Sequence, residues 1–265
     1  MYTLFTQKTK DETIPFQVTE VLDEYMNRIK KNQNQSQNEN ENKNKNAKPI
    51  NIVLFQGYLG SKMSQNNTYE VLETLFSKYT VDQLIITRGM GQPVNPTNLI
   101  GLSNHLTDLS TTTKKDHRKM VFFFDILKGK WKNPLQNTPL TVTDVRNFIT
   151  SIKVHAVLIG SSNVSFETYY NSPANKGEAD LFLFTDEMGM DFEKDLESKF
   201  FNQSEQSEQS ERSGEKELPP ILSKSTHIGS VREYDGLVSG NPHQLSTDEK
   251  YLTLILYYSL LKNIR

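Results

Sequence analysis

The amino-acid sequence predicts an α/β layered fold with a largely buried central sheet, and three observations predict it. Continuously apolar runs of strand length recur through the middle of the chain, among them "INIVLF", "KMVFFFDIL" and "VHAVLIG". Segments whose apolar residues are spaced as in a helix separate them. Glycines or polar clusters stop the runs. A strand that is apolar on both sides must be covered on both sides, which helices packed on a sheet achieve.

From Val18, the apolar positions 18, 21, 22, 25, 26 and 29 fall on one helical stripe, so residues 1–30 are expected to form an N-terminal helical segment. Residues 31–48, "KNQNQSQNENENKNKNAK", are low in complexity and bury too little apolar area to offset their ordering entropy; they read as a linker. "INIVLF" (50–55) is a strand stopped by Gly57, and "TYEVLETLFSKY" (68–79) a helix. "QLIITRGM" (83–90) is a strand, and "NPTNLIGLSNHLTDL" (95–109) a helix with Pro96 in its first turn. "KMVFFFDIL" (119–127) is a strand, and "LTVTDVRNFITSI" (140–152) a helix with Thr143 as its N-cap. "VHAVLIG" (154–160) and "EADLFLF" (178–184) are strands, and "MDFEKDLESKFF" (190–201) is a helix. An acidic low-complexity tract follows at 202–217. The last segment, 218–265, reads as a loop and a helix with a Ser246/Thr247 start signal. The layered α/β domain is therefore expected within residues 49–201.

The 265 residues carry a net charge of −2, so no global field draws the chain to a polyanion. Locally the balance differs: between Lys114 and Lys132, seven Lys or Arg stand against two Asp, a net of +5. By itself such a cluster reads as a solvated face. There is no cysteine, hence no disulfide and no thiolate metal site, which is compatible with the cytoplasm as the expected location. No signal peptide and no transmembrane run are expected, and no set of His, Asp and Glu has metal-ligand spacing.

Of the five histidines, one has a lysine two residues on: "HRK", His117-Arg118-Lys119. In an extended strand, residues two apart share a face, so His117 and Lys119 should point one way and Arg118 the other. The strand 154–160 ends in Gly160-Ser161-Ser162-Asn163. Small residues let a ligand approach the backbone, and hydroxyl, amide and backbone N–H donors suit an anion. Alone, such a corner is an ordinary strand exit. With the His-x-Lys strand it supplies a nucleophile, a fixed cation and neutral donors. His155, the competing histidine, lies inside an apolar run without a lysine at +2 and reads as a core residue or as one that supports the site from behind.

The order His-x-Lys, Gly-Ser-x-Asn, then Glu178 leading an apolar strand resembles the phospholipase D superfamily. Within it, the chain is most similar to the phospholipase D-like, NgoFVII-type restriction endonucleases. "NIVLFQGYLG", "LIITRGM", "HRKMVFFFD", "AVLIGSSNVS" and "NKGEADLFLF" each resemble the corresponding segment, over about residues 50–185. The superfamily usually has a spacer shorter than the 41 residues from Lys119 to Gly160, although its nuclease members tolerate longer ones, so residues 126–153 are expected to be an insertion carrying a helix.

The resemblance implies a layered α/β/α fold with a mixed central sheet. It implies hydrolysis of DNA phosphodiesters, without a cofactor or metal, through a phosphohistidine intermediate. His117 would be the nucleophile. Lys119 and Asn163 would bind the non-bridging oxygens, Ser161 and Ser162 would add phosphate donors, and Glu178 would orient the imidazole, with Asp180 a weaker candidate. One copy of the motif implies a homodimer sharing one site on double-stranded DNA, with a cognate DNA methyltransferase as the system's companion. The short C-terminal segment leaves three expectations for sequence specificity: a truncated recognition domain, the insertion at 120–155, or a separate protein. Two other readings stand beside this one: an inactive nucleic-acid-binding remnant, and a phospholipase or phosphatidyltransferase.

Overall fold

The computed structural model describes residues 2–8, 18–35, 49–57, 59, 67–87, 106–109, 116–127, 131–165, 169, 178–185, 222–224 and 245–264. The strands are β1 Tyr2–Lys8, β2 Ile50–Gln56, β3 Val81–Thr87, β4 Leu106–Asp108, β5 Lys119–Ile126, β6 Ile152–Gly160, β7 Glu178–Phe184 and β8 Leu222–Lys224. The helices are α1 Val18–Gln35, α2 Thr68–Phe76, α3 Val142–Ile149 and α4 Thr247–Leu261, with a 3-10 turn at Pro134–Gln136. The strands form one eight-stranded sheet in the order β4-β3-β2-β5-β6-β7-β1-β8. β2, β3 and β4 run parallel; from β2 through β5, β6, β7, β1 and β8 each neighbouring pair is antiparallel. The sheet is mixed.

Strand alternation divides the core into two layers. Ile52 and Leu54 of β2, Val121 and Phe123 of β5, Ala156 and Leu158 of β6, and Phe182 and Phe184 of β7 face α1 and α2. Val53 and Phe55, Phe122 and Phe124, and Val154 and Val157 face α3 and α4. The fold is thus a three-layer α/β/α structure, and β2 is buried along its whole length because both its faces are covered.

Several boundaries differ from the sequence reading. Residues 2–8, expected within a helical segment, form β1 between β7 and β8. The β-branched and aromatic residues of "YTLFT" favour a strand. α1 continues to Gln35, five residues into the tract at 31–48. Leu106–Asp108, expected at the end of a helix, is a short strand parallel to β3; the expected helix over 95–105 lies outside the described residues, as does that over 190–201. The N-cap of α3 is Thr141 rather than Thr143, because only Thr141 has a carboxylate three residues on to complete a capping box, Asp144. The region expected to be an insertion carries α3 and the 3-10 turn, which roof the second core layer. α4, expected to begin a truncated recognition domain, packs Leu252, Leu256 and Leu260 into that same layer. The layered domain therefore draws on α1, β1, β8 and α4 as well as on residues 49–201.

Candidate active site

β2 and β6 leave the sheet at the end where β5 and β7 enter it. The registers Gln56↔Lys119, Met120↔Ile159 and Gly160↔Asp180 set these four strand ends side by side, at about 4.8 Å between neighbours. By alternation, Gln56, Lys119, Gly160 and Asp180 continue the rows that face α1 and α2. The His-x-Lys entry and the Gly-Ser-Ser-Asn exit therefore belong to adjacent strands and to the same end of the sheet.

Lys119 starts β5, and its Nζ donates to the His117 carbonyl at 3.0 Å. His117 itself is exposed. Arg118 turns to the opposite face, as expected, where its guanidinium lies 4.6 Å from the Phe55 ring centroid. Asp116 and Arg118 clip the segment together. The Asp116 carboxylate accepts from the Arg118 backbone N–H at 3.0 Å and from its Nε at 2.8 and 2.9 Å. Burial raises the Asp116 carboxyl, but the hydrogen bonds and charge of Arg118, with Lys262 adding to them, hold it below the usual carboxylate range.

The corner after β6 is held from two sides. Ser162 is buried; its N–H donates to Asp180 Oδ1 at 3.1 Å and its hydroxyl to Asp180 Oδ2 at 2.5 Å. Both Ser162 donors expected to meet a phosphate are therefore spent on Asp180, so Ser162 braces the corner, whereas Ser161 is exposed. Asp180, considered as an imidazole partner, is the buried acceptor of this brace. Its charge, after burial itself, also raises the pKa of the enclosed Tyr169 hydroxyl. On the other side, Gln56 Nε2 donates to Asn163 Oδ1 at 3.4 Å, and its Oε1 accepts from the Val164 N–H at 3.2 Å. Gln56 ties Asn163 to the strand end paired with Lys119, a role the sequence reading missed. Its only local signal is a buried polar residue between an apolar run and a glycine.

Glu178 opens β7 opposite Lys8; its side chain lies outside the described residues. His155 is not at this end. It is the extra residue of a bulge, since Phe123 pairs with Ala156 and Phe124 with Val154. It stands five residues before Gly160, about 16 Å along the strand. Its Nδ1 is 2.6 Å from the Tyr25 hydroxyl and its Nε2 3.9 Å from Asp125, which fits the core role read from its apolar surroundings. His105, His227 and His243 lie outside the described residues. Among the described residues, no group of three or more His, Asp or Glu could hold a metal ion, and no helix is long and apolar enough to cross a membrane. A cavity of about 430 Å³ opens by β4, between Thr107, Leu135, Asn137 and Asn263. Asp108 is the one charged residue in its lining, so it is not the anion site.

No protein-family model matches the sequence, and no curated protein does. Two solved structures of yeast tyrosyl-DNA phosphodiesterase, one of them a mutant, are similar at a TM-score of 0.31 and 11% identity. The likeness covers 68% of this chain and 31% or 30% of theirs, so the chain spans about a third of their length. A likeness this slight distinguishes no activity.

Proposed function

We propose that the chain is a phospholipase D-like phosphodiesterase, a restriction-type endonuclease that cleaves DNA without a metal. The observation that carries this reading is the shared end of β5 and β6, where His117-x-Lys119 enters one strand and Gly160-Ser161-Ser162-Asn163 leaves its neighbour. A His117 ring nitrogen attacks phosphorus, and the bond from phosphorus to the leaving sugar oxygen breaks as that oxygen takes up a proton. Lys119, Asn163 and Ser161 stabilise the non-bridging oxygens of the five-coordinate phosphorus. Water then displaces the imidazole and releases the phosphate product. Glu178 holds the imidazole tautomer. The proton donor is the equivalent histidine of a second copy, in a two-fold dimer with one shared site. The positive charge between Lys114 and Lys132 suits a polyanion bound through its phosphates.

The test is turnover of duplex DNA in excess EDTA. The wild type should cleave, His117→Ala should lose about a thousandfold or more in kcat, and quenching in alkaline denaturant, where the phosphorus–imidazole bond survives, should trap labelled DNA phosphate on residue 117. Equal cleavage by the two proteins, or cleavage abolished by EDTA, overturns the reading. Tight DNA binding without any turnover supports a binding protein instead, and hydrolysis of phosphatidylcholine vesicles supports a lipase.

A further inference from the structure

Between the two residues assigned to phosphate chemistry stands Arg118, which that chemistry does not use. It is nonetheless held on all sides. Besides its bonds to Asp116, Nη1 donates to the Ser259 carbonyl and Nη2 to Asn263 Oδ1, the latter at 3.1 Å. Asn263 Nδ2 in turn donates to the Leu109 carbonyl at 3.3 Å. Ser259 lies in the last turn of α4, at the negative end of the helix dipole, and the Asn263 N–H four residues on donates to the Leu260 carbonyl rather than to that of Ser259. α4 itself is locked to the sheet by buried leucines and, at its start, by Glu249 with Lys153 at 3.1 Å.

We infer that Arg118 is a positioning residue, and that the end of α4 is the fixed frame against which it registers the His117-Lys119 segment. This rests on His117 being the nucleophile. His117 precedes β5 and belongs to no strand, so the sheet ladder does not hold it. The flanking Asp116–Arg118 clip does, and Arg118 transmits the rigidity of a packed helix to it. A planar fork can bridge the Asp116 carboxylate, the Ser259 carbonyl and the Asn263 amide at once, while an ammonium on the same stem cannot. The C-terminal helix is thereby part of the site, although its own residues touch no substrate.

Arg118→Lys keeps the charge and loses the fork. With a duplex DNA substrate, kcat should fall by about ten- to a hundredfold while KM stays within about twofold. Amide hydrogen exchange at 117–120 should accelerate while 122–124 stay protected. Asn263→Ala, which leaves Arg118 intact, should shift both readouts in the same direction by less, and carries the test if Arg118→Lys does not fold. A folded Arg118→Lys with wild-type kcat and unchanged exchange overturns the inference, as does acceleration spread evenly over β5. If His117→Ala keeps full turnover, the nucleophile assignment has failed, and the exchange at 117–120 still decides whether α4 holds this segment.

Discussion

A methyl group on Gly57 would lie 2.3 Å from the Asp116 carbonyl oxygen and 3.2 Å from His117 Cα. The residue that stops the first buried strand thus also makes room for the backbone that carries the candidate nucleophile. Gly57→Ala should push that backbone away, lowering kcat about tenfold or more and stability by about 1–3 kcal/mol; an unchanged kcat would show that the segment relaxes freely. Tyr25→Phe probes the other histidine. It removes the hydroxyl from His155 Nδ1 and should lower stability in urea unfolding by about 1 kcal/mol, with turnover unchanged because His155 is far along β6. Loss of turnover would make His155 a candidate for the nucleophile. At this scale, the His117-x-Lys119 and Gly160-Ser161-Ser162-Asn163 motifs were legible because each lies within a few neighbouring positions; the chemistry proposed for them is what the His117→Ala assay tests. Gln56, Gly57 and the Ser162–Asp180 brace were not, since each acquires its meaning from a strand distant in sequence.

Among the elements, β5, β6 and β7 stood out because apolar runs bounded by glycine or polar residues are short-range signals. β7 matches its expected limits, Glu178 to Phe184. β4, with three residues, is too short for any period to register, and β1 is recruited between β7 and β8 from the far end of the chain. The start of α4 was equally legible: Ser246 and Glu249 form a capping box. Ser246→Ala should cost about 1 kcal/mol, seen as a thermal midpoint about 2–4 °C lower. If Arg118 registers against α4, the same variant should leave the C-terminal contacts, and hence kcat, intact. A fall in kcat at full folding would mean that the helix transmits strain from its first turn to its last.

For the molecule as a whole, the Asp116–Arg118 clip couples stability to acid. The Asp116 carboxyl is depressed in the folded state relative to about 3.9 in the unfolded chain. Its contribution is therefore complete above the unfolded value and is lost as pH falls through the lower folded one. Urea midpoints measured from pH 5 down to pH 2 should fall less steeply in Asp116→Asn than in wild type; parallel curves would refute the coupling. The sequence by itself determined the apolar period of the central strands β2, β3, β5, β6 and β7 and the cap of α4, because these are written within a few neighbouring positions. Only the tertiary structure decided that β5 lies between β2 and β6, that Arg118 faces α4, and that the C-terminal helix belongs to the same layered domain. Strand order and register are settled by which apolar faces can be covered together, and that balance sums contacts between residues a hundred or more positions apart.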